Sequence, residues 1–413
     1  MRRARQRAKL SPSVSYRSIL HIGEEWVRAL VVEIRPESVL VIGAGREKRL
    51  DAGQALEAKT LASVCEGALR QAENMTERTI GRLVVPDEAI LGLPGRHMHS
   101  VIGQVQMVRA QPEREITERE LYRLLVRLYN ATEQLAARTV SSSSSRPQYP
   151  LGLLETKVIE IRVDGNEVTT PVRFRGDRLE ARAVGLYADG ATLAELSRLA
   201  DCLELTILPV ANSWAMASAM NEQEAVGLIV ESHETVILTL RRGTVIGLDR
   251  LPHGGAELMR DLAVHLGLPR FRISALREAY LSGQLDDEWH DLLREGVSHV
   301  VVPWLRGIAA ALNRLAESDN LPSRLCFCEM DVPFPMLAGA LQSWMESWPV
   351  DEFPTVRRLD IRDIAGISER TGTLRQDPAD MGVMALARYA GVLARPPSAV
   401  DALLQKIAGG PAH

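Results

Sequence analysis

Three short polar stretches hold the residues able to do chemistry. They are His21-Ile22-Gly23-Glu24-Glu25, Ser232-His233-Glu234-Thr235 and Glu329-Met330-Asp331. Imidazole with carboxylates is a sensible donor set for a divalent metal. A glycine turn beside hydroxyl groups suits phosphate instead, because backbone N–H groups can approach an anion closely there. Which chemistry is open depends on which stretches meet. His97 and His99 alternate beside Met98 and read as a surface pair, not as ligands. No serine–histidine–aspartate or cysteine–histidine arrangement has a recognisable local frame. Cys326 and Cys328 have no second pair and no clustered histidine, so they read as buried thiols on a strand and not as a zinc site. With Cys65 and Cys202 the chain has four cysteines, too few for a disulfide scaffold in 413 residues. No catalytic residue and no metal site is expected.

Each polar stretch interrupts or ends an apolar run. Residues 18–34 read as two strands joined at Gly23-Glu24-Glu25, followed by a strand at 39–42, a helix over 53–72 and a strand at 83–85. The second stretch separates strands at 226–230 and 235–240. Arg241-Arg242-Gly243 then turns the chain into 244–248, and Gly254-Gly255 precedes a helix from about Ala256. The third stretch follows a strand at 324–328 and precedes a helix over 336–345. Between the first two lie a strand at 101–108 and an amphipathic helix over 117–137, with Thr117 as N-cap and Leu121, Leu124, Leu125 and Leu128 on one stripe. A serine tract at 141–145 reads as a loop. Strands at 158–163 and 179–187, a helix over 192–202, a strand at 206–209 and a helix over 212–217 follow. Later, Ser274 is placed as the cap of a helix containing Leu276 and Tyr280. Asp286-Asp287-Glu288 opens another helix, and a further helix at 300–316 takes Pro303 in its first turn. A strand at 356–361, a closing helix over 381–393 and a short amphipathic helix over 398–407 complete the order.

A length of 413 residues argues for two or more domains, and 46% hydrophobic with 25% charged residues is ordinary globular composition. The net charge of −4 advertises no nucleic-acid partner. The basic head Arg2-Arg3-Ala4-Arg5 reads as a disordered tail. No run of apolar residues is long enough to span a bilayer, so the chain is expected to be soluble and cytoplasmic. The last helix offers Val400, Leu403, Leu404 and Ile407 but only Lys406 as a cation and no aromatic residue. It is expected to dock on the body or to fray, with weak or no direct membrane contact.

The order of these pieces over 19–393 resembles the actin-like superfamily, in particular the bacterial cell-division protein FtsA and its relative, the pilus-assembly protein PilM. The segments that carry the resemblance are ILHIGEEWVRALVVEI, VDGNEVTTPVRFRGDRLEARAV, DCLELTILPVANSWAMAS, RLPHGGAELMRDLA and QDPADMGVMALARYA. It implies an α/β, actin-like (ribonuclease-H-like) two-domain fold with an FtsA-type α/β insertion subdomain. The implied boundaries are a basic tail at 1–17, a first half-domain at 18–96 and 189–222, the insertion at 97–188, a second half-domain at 223–395 and a tail at 396–413. It also implies that the three polar stretches converge on one nucleotide cleft for ATP and magnesium.

This chain departs from the family at all three loops. His21 stands at the acidic position, Gly23 is kept, and Glu24 and Glu25 replace small hydroxyl residues. Val230 and Ile237 replace the acids of the second loop, Ser232, His233 and Glu234 replace its glycines, and Thr235 survives. Glu329-Met330-Asp331 replaces a glycine-rich adenosine loop. Carboxylates facing a triphosphate repel it, by several kcal/mol once desolvated. The expectation is a pseudo-ATPase scaffold without cofactor. It would link division or envelope-assembly proteins through 97–188 and could self-associate at the inner face of the membrane. The alternative is an active ATP-binding actin-like protein that polymerises at the cytoplasmic membrane. A sugar-kinase reading needs an aspartate where Val230 and Ile237 stand.

Overall fold

The computed structural model describes residues 14–49, 56–143, 151–318, 320–346, 355–374 and 378–409. The basic head, the end of the serine tract and the start expected for the first helix lie outside them. The chain begins with an antiparallel meander of β1 (Ser15–Ile22), β2 (Trp26–Ile34) and β3 (Val39–Lys48). β2 is apolar apart from Arg28 and Glu33 and is buried on both faces, so helices must cover both sides of its sheet. Helix α1 (Ala58–Ile80) lays Leu61, Cys65, Ala68 and Leu69 on one of them. It lies close because β3 has glycines at 43 and 45, where a Cβ would collide with the carbonyl oxygens of Ala72 and Ala68.

The next strand is β4 (Glu88–Leu93), parallel to β1, and not the expected 83–85. Leu83 is 54% exposed, and the apolar residues that meet β1 are Ala89, Ile90 and Leu91. A separate four-stranded sheet follows, made of β5 (His99–Val108), β6 (Leu151–Val163), β7 (Asn166–Glu167) and β8 (Arg178–Asp189), in the order β5-β8-β6-β7. Helix α2 (Glu118–Ser143) packs on it. α2 continues through 141–143, where a loop was expected. Its start is capped reciprocally: Thr117 N–H donates to Glu120 Oε2 at 2.9 Å, and Glu120 N–H donates to Thr117 Oγ1 at 3.3 Å. Thr117→Ala is expected to cost about 1 kcal/mol of stability, measured as a lower denaturation midpoint.

α3 (Gly190–Leu203), β9 (Thr206–Ala211) and α4 (Asn212–Ala219) return the chain to the first sheet. The second large sheet begins with β10 (Glu224–Val230), β11 (Thr235–Arg241) and β12 (Thr244–Leu251). Helices α5 (Gly255–Leu266), α6 (Arg270–Leu281) and α7 (Asp287–Ser318) follow, then β13 (Arg324–Glu329), α8 (Leu337–Glu346) and β14 (Thr355–Arg358). Ser274 lies inside α6 and does not cap it; Pro269 holds the N-cap position. Pro303 lies inside α7 and not in a first turn, because Val301, Trp304, Leu305 and Ile308 bury the helix on both sides of it. The strand expected at 356–361 stops at Arg358, and Asp360 caps a short turn of helix over Ile361–Asp363.

The two large sheets share one plan, three antiparallel strands followed by two parallel ones. Their orders are β3-β2-β1-β4-β9 and β12-β11-β10-β13-β14. β15 (Ile367–Glu369), placed by the sequence reading in the second half, pairs in parallel with β3 at the edge of the first sheet. α9 (Met381–Leu393), at the limits expected, lies with α4 between the two sheets, in one cluster with Ile19, Leu30, Ile229 and Val236. α10 (Ala399–Ile407) docks on the third sheet beside α2, as expected. Val400 and Leu404 are buried there, and Asp401 Oδ1 accepts from Val158 N–H at 2.8 Å. Among the described residues no helix is long and apolar enough to cross a membrane.

Candidate functional site

The three polar stretches meet where the two large sheets face each other. β1 delivers His21, and the turn that follows presents Gly23, Glu24 and Glu25. The turn between β10 and β11 presents Ser232 and His233, and the end of β13 presents Met330 and Asp331. Short contacts fix the turns themselves. Gly23 N–H donates to Trp26 O at 3.0 Å, and Glu231 N–H to Glu234 O at 2.9 Å. Arg49 Nη1 donates to Gly23 O at 2.9 Å. A Cβ at Gly23 would crowd Asp331 Oδ1 at 2.8 Å, so the first and third loops approach too closely for any larger residue there.

His233 joins the two sides. Its Nε2–H donates to Glu24 Oε2 and its Nδ1–H to Glu257 Oε1, each at 2.8 Å. Glu24 lies 209 residues away in sequence, on the other half of the molecule. The hydrogen bonds to Glu24 and Glu257 push the imidazole up to about 9, so it is a cation at neutral pH. Burial is the largest single influence and raises the Glu24 and Glu257 carboxyls, but the His233 hydrogen bond and charge, with arginines near Glu24 and backbone N–H groups at Glu257, together outweigh it and hold both below the usual carboxylate range. The two ring nitrogens point in opposite directions at separate carboxylates, which is a bridge and not a metal-binding geometry. Among the described residues no group of three potential ligands could hold a metal ion.

Beneath this bridge His21 is fully buried, with Nδ1 3.4 Å from Asp331 Oδ1. Burial holds its pKa below the usual value, against the pull of Asp331. Ser232 Oγ donates to the other Asp331 oxygen at 3.2 Å. Met330 is buried beside Gly382, where a Cβ would collide with its Cε and with His21 Nε2. The space left among Gly23, Glu24, Arg49, Arg96, Ser232, His233 and Asp331 is about 20 Å³, room for one water. Cavities of about 540 and 420 Å³ exist elsewhere, both against the third sheet.

The start of α5 belongs to the same construction. A helix N-terminus ordinarily offers free N–H groups to an anion. Here Gly255 N–H donates to Glu231 O at 2.9 Å and Ala256 N–H to Ser232 O at 2.7 Å. Gly254 N–H donates to Glu257 Oε2 at 3.1 Å. All three point into the turn or its cap.

The remaining stretch residues go elsewhere. Glu25 faces Arg277 at 3.4 Å. Thr235 Oγ1 donates to His253 O at 2.7 Å and accepts from the buried Trp304 indole at 2.9 Å, a core contact. Glu234 turns to the Gly95 backbone, where a Cβ would overlap its Oε1; burial raises its carboxyl. Glu329 accepts from Phe334 N–H at 2.7 Å, and burial pushes it up to about 7. So His21, Gly23, Glu24, Ser232, His233, Met330 and Asp331 come together, whereas Glu25, Glu234, Thr235 and Glu329 do not join them. Sequence reasoning missed Glu257. Its signal was its place three residues after Gly254, the spacing of a helix-capping glutamate.

No protein-family model matches the sequence, and no curated protein does. Solved structures match it at low identity. A chain of the "PilM-PilN type IV pilus biogenesis complex" aligns over 91% of this chain and 98% of its own length, with 12% identity and a TM-score of 0.60. The ethanolamine utilization protein EutJ from Carboxydothermus hydrogenoformans aligns over 92% of each chain, with 10% identity and a TM-score of 0.46. The repeated three-plus-two sheets and the alignment over nearly the whole chain make this an actin-like fold, similar to that of the PilM-PilN complex.

Proposed function

We propose that this protein is a pseudo-ATPase scaffold with an actin-like fold, holding partner proteins of an envelope-assembly or division machine at the inner face of the membrane. The observation that carries the reading is the Glu24–His233–Glu257 bridge across the mouth of the cleft. A nucleotide needs a pocket of about 300 Å³ or more, against the 20 Å³ left here. The N–H groups at the start of α5 already have partners in the turn and its cap. Glu24 and Asp331 line the remaining space beside Arg49, Arg96 and the His233 cation, and Glu24 is already committed to that cation. ATP with magnesium does not fit these residues. One solved structure similar over most of this chain is described as a type IV pilus biogenesis complex of PilM and PilN. That supports a role in binding, with the region 97–188 and its separate sheet as the interaction subdomain.

Isothermal titration with ATP and magnesium tests the reading. No heat of binding is expected at millimolar nucleotide. Saturable binding in the micromolar range would sink it.

A further inference from the structure

The outward face of α2 is not used by the reading above. The inner face of the helix, Leu121, Leu124, Leu125 and Leu128, packs on the third sheet. Opposite it stand Arg119, Arg123 and Arg127, one turn apart and all exposed. They form a row about 12 Å long, from the 1.5 Å rise per residue. Among the described residues none of the three has a hydrogen bond or ion pair. Like charges at this spacing repel and weaken a helix, and the chain as a whole is acidic, at −4. The row therefore adds little to folding and is left free to meet an anion outside the chain.

Two kinds of anionic surface are candidates, an acidic protein helix and a lipid headgroup layer. A protein interface needs an apolar core. The outward face of α2 has none: Asn130 and Gln134 continue it beyond the arginines, and Val126 beside them is half-buried. A headgroup layer needs only cations near its surface. Tyr122, 49% exposed, stands on the flank of the row, where an amphipathic ring can meet the membrane–water boundary. We propose that Arg119, Arg123 and Arg127 dock this protein on an anionic lipid surface, with headgroup phosphates received by the guanidinium forks. α10 is not the contact, because its apolar edge is buried against the third sheet. The proposal is independent of the state of the nucleotide cleft.

Co-sedimentation with vesicles of phosphatidylcholine alone, and of equal parts phosphatidylcholine and phosphatidylglycerol, tests it. The protein should pellet with the mixed vesicles only and should be released as salt is raised. The triple variant R119Q/R123Q/R127Q should bind about a hundredfold more weakly, with an unchanged or higher Tm because the repelling row is gone. Should the variant fail to fold, the lipid and salt dependence of the unaltered protein decides. Equal binding to both vesicles, no binding to either, or a folded variant that binds as well as the parent overturns the proposal. So does binding to soluble polyglutamate without binding to vesicles, which would give the face to an acidic protein.

Discussion

Replacing His233 with alanine should lower stability by about 2 kcal/mol at neutral pH, seen as a lower urea midpoint with an unchanged slope. The substitution removes the cation between Glu24 and Glu257, whose side chains are only 12% and 16% exposed. Removing one partner of a fully buried pair costs about 3–5 kcal/mol. The ring is 26% exposed, so solvent screening reduces that figure. The pH dependence identifies the cause. The His233 pKa is raised in the folded protein, from the ordinary 6.5 to about 9. Its contribution is therefore complete below pH 6.5 and disappears as pH rises through 9. The parent protein should lose stability across that window, and His233→Ala should not. The same slope in both proteins would show that the bridge does not hold the cleft shut.

Arg28→Ala should be more damaging, at about 3–5 kcal/mol. Arg28 on β2 donates through Nε to Asp380 Oδ1 at 2.9 Å, with side chains 6% and 11% exposed. The substitution takes the guanidinium away from a buried carboxylate immediately before α9. The double variant Arg28→Met, Asp380→Leu should recover most of the loss, because two apolar groups of similar size need no charge partner there. Chemical denaturation of both variants measures it. A single variant that loses less than 1 kcal/mol, or a double variant no better than the single, would contradict the assignment of this cost to a buried charge.

Local pattern carried much of the fold. The turns at Gly23 and Gly243 and the limits of α9 follow from residues close in sequence. Where the reading failed, a longer-range contact decided. Leu83-Val84-Val85 is as apolar as a strand should be, but the edge of β1 is taken by Ala89 to Leu91. Pro303 marks a helix start by local rules, yet apolar residues on both sides of it keep α7 continuous. The site shows the same division. Its three loops were legible as polar breaks between apolar runs, and Glu24 and His233 were legible as departures from a phosphate-binding loop. Which side chains pair was not, because nothing near Glu24 announces a histidine 209 residues away. Thr235 looked like a surviving phosphate ligand and serves the Trp304 indole in the core.

The return of β15 and α9 to the first sheet also sets the order in which the molecule can be completed. Synthesis runs from the N-terminus, and domains generally fold as their residues emerge. The first sheet has its five main strands once Ala211 is made, but its edge partner is Ile367–Glu369 and the helix that covers its inner face is Met381–Leu393. The sheet that begins first is therefore finished last. For more than 150 residues of translation its inner apolar face has α4 but not α9 over it, an interval in which exposed apolar surface leaves a nascent chain prone to aggregate.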